Sequence, residues 1–145
     1  MNILTSPRFL FTFVTIMPLK PQYDTPELRA RLTAEQYDIV ANAATEHGFT
    51  GAYWDKTDAG DYECIVCHTK LFDSTLKFDS SCGWPSFYDS LPDTIETSTD
   101  HKIGVPRTEI HCKTCGAHLG HVFTDGPRDK TGLRYCLNSG SLNFK

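Results

Sequence analysis

Most of the reactive side chains in this 145-residue chain are six cysteines and six histidines. Four of the cysteines form two C-x-x-C pairs, Cys64–Cys67 and Cys112–Cys115. Two intervening residues let both sulfurs of a tight turn face one ion, and two such turns supply a tetrahedral set of four thiolates. Residues 68–111 separate the pairs, so each is expected on its own hairpin, with the metal pinning distant parts of the chain together. Zn2+ suits such a purely structural site because it has no redox chemistry, although iron binds the same four sulfurs.

Other uses of these four cysteines fit less well. Cys64 to His68 spells C-x-x-C-H, a haem-attachment pattern, but the only methionines are Met1 and Met17 and the second pair would go unexplained. A thioredoxin-like redox pair expects a βαβ context that the sequence lacks. Structural disulfides call for an exported chain, and six cysteines in 145 residues fall short of a disulfide scaffold.

Cys82 and Cys136 are left over. Cys136 lies in Leu133-Arg134-Tyr135-Cys136-Leu137-Asn138, which reads as a strand. Alternation would put Arg134, Cys136 and Asn138 on one face. A cation beside a thiol favours the nucleophilic thiolate, and an amide can hydrogen-bond a group held at the sulfur. The bland alternative is an inert buried cysteine. Cys82 opens Cys82-Gly83-Trp84-Pro85, read either as a turn that folds Trp84 into the core or as a mobile thiol beside an aromatic wall. His118 and His121 follow the second pair directly. They are surface residues, extra ligands, or acid–base groups, and four thiolates would already saturate the metal. His47, His68, His101 and His111 belong to no comparable grouping.

The elements that position these groups are legible in outline. Thr25 and Pro26 begin one helix, with Leu28 and Leu32 on one face. Thr33-Ala34-Glu35-Gln36 is a capping box for a second helix, for which Gly48 is the expected stop. Beyond Gly51 come short strand candidates: Tyr53-Trp54, Tyr62–Val66, Phe72, Ile95–Thr99, Arg107–His111, His121–Phe123 and Leu133–Asn138. The pattern predicts a β-dominated α+β domain over residues 21–145, with two antiparallel sheets of short strands, N-terminal helices and a structural zinc site. Residues 1–20 read as an extension with an alternative start at Met17. The apolar run Phe9–Met17 is too short to span a membrane and lacks a cleavage signal. With 14 Lys and Arg against 18 Asp and Glu, the surface disfavours nucleic acid.

Three runs together carry a specific likeness: FDSSCGWPSF, CGAHLGHVFTDGP and GLRYCLNSGSLNF. With the two C-x-x-C pairs, they resemble methionine sulfoxide reductase type B from about Tyr23 to the C-terminus. That resemblance implies Cys136 as nucleophile, Cys82 as resolving cysteine, and one transient disulfide between them. It implies that Trp84 holds the substrate methyl group, that His118, His121, Arg134 and Asn138 surround the sulfoxide, and that Phe123 lines the pocket. It further implies structural zinc, R-methionine sulfoxide (free or in oxidised proteins) as substrate and thioredoxin as reductant. A transient disulfide suits a reducing, cytoplasmic setting. The chemistry agrees, because a sulfenic acid condenses readily with a nearby thiol. The rival classes are a zinc-ribbon-like binding module, which has no need of an Arg-x-Cys-x-Asn face, and a thiol peroxidase or redox sensor, which would react with peroxide faster than with sulfoxide.

Overall fold

The computed structural model describes residues 19–145. The expected extension and the Met17 start fall outside these residues except at Leu19 and Lys20. Leu19 is buried in the core, and the Lys20 amide donates to the Cys115 carbonyl at 2.9 Å.

Two helices come first. Helix α1 spans Pro26–Arg31, capped by the Thr25 hydroxyl, which accepts from the Leu28 amide. Helix α2 spans Ala34–Asn42 and begins with the expected reciprocal capping box between Thr33 and Gln36. It stops at Ala43 in the left-handed region, with φ 60°, rather than running on to Gly48. The segment after it is drawn elsewhere: Glu46 accepts the amides of Ser139 and Gly140, each at 2.9 Å.

Nine strands follow: β1 Asp61–Cys64, β2 Lys70–Asp73, β3 Lys77–Phe78, β4 Ser86–Phe87, β5 Ile95–Asp100, β6 Arg107–Cys112, β7 His118–Phe123, β8 Arg134–Leu137 and β9 Leu142–Phe144. All pair antiparallel, in a three-stranded sheet ordered β2-β1-β9 and a six-stranded sheet ordered β3-β4-β8-β7-β6-β5. The two-sheet, β-dominated architecture is the one the strand pattern predicts. Tyr53-Trp54 is not a strand. Tyr53 is anchored instead by its amide, which donates to the Ser139 hydroxyl, and by its ring, which packs edge-on against Tyr62. β3, β4 and β9 escape the sequence pattern because two or three residues are too few to show alternation.

Tyr62, Phe72 and Phe87 are fully buried between the sheets, with Phe72 and Phe87 stacked at 4.4 Å. Ile39 and Val40 of α2 complete this core. β7 and β8 approach closely at Gly120, where an added Cβ would lie 2.0 Å from the Cys136 carbonyl oxygen. A larger residue there would force β8 away from β7. No described helix is long and apolar enough to cross a membrane.

Candidate active site and metal centre

The two C-x-x-C turns are built alike. In the first, the Cys64 amide donates to the Thr69 carbonyl and His68 N–H returns to the Cys64 carbonyl. In the second, the Cys112 amide donates to the Ala117 carbonyl and Gly116 N–H returns to the Cys112 carbonyl. His68 and Gly116 hold equivalent left-handed positions, with φ 65° and 84°. His68 therefore serves as a turn residue, and its exposed ring leans on Glu63 at 3.2 Å.

The four sulfurs lie within 4.8 Å of one another, with Cys64–Cys115 at 3.6 Å and Cys67–Cys112 at 3.5 Å. Four ligands about 2.3 Å from one tetrahedral ion would stand about 3.8 Å apart, so this donor set fits a single metal ion. Chain segments from the helical region brace it. Arg31 donates to the carbonyls of Ile65 and Val66, and the Lys20 ammonium donates to the Lys113 carbonyl.

The second centre is a cavity of about 200 Å³ on the six-stranded sheet. Its lining includes Cys82, Trp84, His121, Phe123, Arg134, Cys136 and Asn138, seven of the eight residues expected there. The strand β8 presents Arg134 and Cys136, and β7 presents His121 opposite Cys136 and Phe123 opposite Arg134. The loop between β3 and β4 brings Cys82 and Trp84. The Trp84 indole N–H donates to the Glu46 carbonyl at 3.1 Å, which anchors the ring to the segment after α2.

Asn138 lies just beyond β8. Its Oδ1 accepts from the Glu46 amide and its Nδ2 donates to the Leu119 carbonyl, leaving one N–H for a ligand. Arg134 is gripped through Nε and Nη2 by the two oxygens of Asp125, at 3.0 and 3.3 Å, and lies over the Phe123 ring. Asp125 is thus the holder of the cation, a role its place in a Gly-Pro turn concealed.

His118 is the exception. It is 1% exposed, does not line the cavity, and bonds Glu109 through Nδ1 at 2.5 Å. A register shift between Ile110 and His111 sets His118 opposite His111. His118 still stands near the site, with its ring 5.6 Å from that of His121. Its Nε2 is buried without a hydrogen-bond partner.

His121 Nε2 meets the Asp100 carboxylate at 2.6 Å, and Asp100 is also paired with Arg107 at 3.1 Å. Burial lowers the His121 pKa below its ordinary 6.5, aided by Arg107 and His118 and opposed by Asp100. The ring is therefore neutral near pH 7. With Nε2–H directed at the carboxylate, Nδ1 keeps a free lone pair. Sequence reasoning missed Asp100, Arg107 and Glu109, since isolated charges on two strands carry no motif.

The two cavity thiols differ. Burial pushes Cys136 up to about 12, with Cys82 adding to the shift and Arg134 opposing it. Burial also raises Cys82, but hydrogen bonds from Ser80, Ser86 and the backbone at Trp84 outweigh it, and its pKa is lowered. The cavity thus combines two neighbouring thiols, a neutral imidazole with a basic nitrogen, a fixed cation and an indole face. Such a set can attack an electrophilic atom and move one proton.

Comparison with known proteins adds a family. Residues 32–145 match the SelR domain. A curated peptide methionine sulfoxide reductase MsrB from Burkholderia ambifaria is 58% identical over 125 residues, 86% of this chain and 87% of that one. The MsrB proteins of Burkholderia cenocepacia and Burkholderia multivorans are each 57% identical, over 125 and 123 residues. Coverage is 86% of this chain and 87% of the relative in the first case, and 84% and 86% in the second.

Proposed function

The chain belongs to the SelR-domain family, and from that membership we propose that it reduces methionine sulfoxide to methionine, acting on the R epimer in oxidised proteins or free. The observation that carries this reading is the meeting of Cys136, Cys82 and Trp84 around one cavity. The indole face suits the polarised methyl group of a sulfoxide.

The first step balances without an outside proton. The Cys136 sulfur attacks the sulfoxide sulfur and takes its oxygen, leaving methionine and a sulfenic acid on Cys136. The proton released by the Cys136 thiol is the one the departing oxygen requires. His121, neutral and held by Asp100, relays it. This route accounts for a thiol that is protonated at rest, since deprotonation and attack then occur together. Arg134 offers positive charge to both sulfurs, and the free N–H of Asn138 is available to the oxygen.

Cys82 then displaces hydroxide from the sulfenic acid to give a Cys82–Cys136 disulfide, which thioredoxin, an external dithiol, reduces. That cycle suits a reducing compartment such as the cytoplasm, where an external dithiol can regenerate the enzyme. In this reading Cys64, Cys67, Cys112 and Cys115 would hold Zn2+, which would tie the β1–β2 and β6–β7 turns together and serve the fold rather than the reaction. The test is epimer-resolved reduction of methionine sulfoxide with a thioredoxin system. Turnover of the R form alone is expected, and turnover of neither form would refute the reading.

A further inference from the structure

The loop that carries Cys82 holds two hydroxyls against its sulfur. Ser80 Oγ lies 2.9 Å from Cys82 Sγ, and Ser86 Oγ lies 3.4 Å from it. The two hydroxyls are themselves 2.6 Å apart. Ser86 also reaches the Trp84 carbonyl at 3.1 Å, and the Cys82 amide points back to Ser80 Oγ at 3.4 Å. Ser86 is 1% exposed and sits on β4 directly across from Cys136 on β8. An interior position in a strand ordinarily takes an apolar side chain, yet here it carries a hydroxyl that faces a sulfur.

We propose that Ser80 and Ser86 form a positioning pair that holds the Cys82 sulfur and carries its negative charge as it attacks oxidised Cys136. The proposal rests on the reading of Cys82 as the resolving cysteine. Counting protons explains why two hydroxyls are needed. While Cys82 is a thiol, its S–H and the Ser86 hydroxyl both reach the Trp84 carbonyl, and Ser80 donates to the Cys82 sulfur. When Cys82 ionises, Ser86 donates to Ser80, and Ser80 still donates to the sulfur. Both states are satisfied by rotating the Ser86 hydroxyl, with no backbone movement.

The step balances as a condensation. An electron pair of the Cys82 thiolate forms the S–S bond, the S–O bond of the Cys136 sulfenic acid breaks, and hydroxide leaves to be protonated to water. Cys82 is oxidised by the sulfenic acid, so no further oxidant is needed. The groups that line the cavity together with Cys82 are Arg134 and Cys136 from β8, His121 from β7, Arg107 from β6, and Trp84 from its own loop. Arg134 favours the thiolate in the same direction as the hydroxyls, and the lowered Cys82 pKa agrees with both.

The experiment is the pH dependence of iodoacetamide alkylation of Cys82, measured in the metal-loaded full chain carrying Cys136→Ser, with and without Ser80→Ala. Loss of a hydrogen bond to a charged group is expected to raise the alkylation midpoint by about one pH unit. Ser80→Thr should restore it, since only a hydroxyl is required. In protein that keeps Cys136, dimedone trapping after a pulse of methionine sulfoxide should show a sulfenic acid living roughly tenfold longer in the Ser80→Ala variant. If Ser80→Ala fails to fold, Ser86→Ala carries the same expectations. An unmoved midpoint would overturn the proposal. Failure to trap any sulfenic acid in a chain carrying Cys82→Ser, where no neighbouring thiol can consume it, would refute the proposed reaction instead, while the alkylation midpoint still decides the role of the serines.

Discussion

His121 and Cys136 are direct cross-strand partners on β7 and β8, and the other side of the imidazole is held by Asp100 at 2.6 Å. The strand pair therefore sets the imidazole beside the thiol, and the carboxylate selects its tautomer. Asp100→Asn removes the charge while keeping the shape. A drop of roughly tenfold to a hundredfold in kcat/KM for R-methionine sulfoxide is expected from a disabled general base, with a circular dichroism spectrum like that of the parent.

The pH profile offers a separate reading of the same histidine. Because its pKa is lowered from 6.5, the acid limb of kcat/KM should lie below that value. Arg107 is one cause of the lowering. Removing a cation makes protonation of a nearby imidazole easier, so Arg107→Gln should move the limb to higher pH. A limb that stays in place or moves down would exclude His121 as the titrating base.

The two cavity cysteines should separate cleanly in a single-turnover assay. Cys136→Ser is expected to release no methionine at all. Cys82→Ser should release about one equivalent per chain and then stop under thioredoxin, since a sulfenic acid without a partner thiol cannot form the disulfide that exchange requires.

Arg134 and Asp125 make a two-pronged contact that lysine cannot reproduce. Arg134→Lys should lower kcat/KM by about tenfold, the loss of one charge-assisted hydrogen bond. Asp125→Asn, at an exposed residue, should change folding stability by less than about 1 kcal/mol in a denaturant titration. Its effect should appear in kcat/KM instead.

The four-cysteine centre predicts a different phenotype. Cys64→Ser, or exhaustive chelation, should lower thermal stability steeply and abolish activity only as the fold is lost, because binding at such sites contributes on the order of 10 kcal/mol to folding. Activity lost in a chain that keeps its native spectrum and melting temperature would mean that the metal acts in the reaction.

Local signals in the chain were enough to identify the helix caps at Thr25 and Thr33, the two C-x-x-C turns and the face shared by Arg134 and Cys136. Each depends on contacts within a few residues, where spacing maps directly onto geometry. The end of α2 was not legible, because Glu46 bonds backbone amides more than ninety residues away. The split between the two histidines was also hidden. Residues three apart in a regular strand face opposite ways, but the register shift in β6–β7 sets both rings on one face, opposite His111 and Glu109. There His118 bonds Glu109 and His121 remains at the cavity; a shift of register is a property of the strand pair. Residue types and spacing alone grouped four cysteines as a set that fits one metal ion and left two apart. Only the tertiary structure decided which thiol ionises first, because the burial of Cys136 and the approach of Arg134 from β8 to the Cys82 loop arise only when separate strands and loops meet as the chain folds.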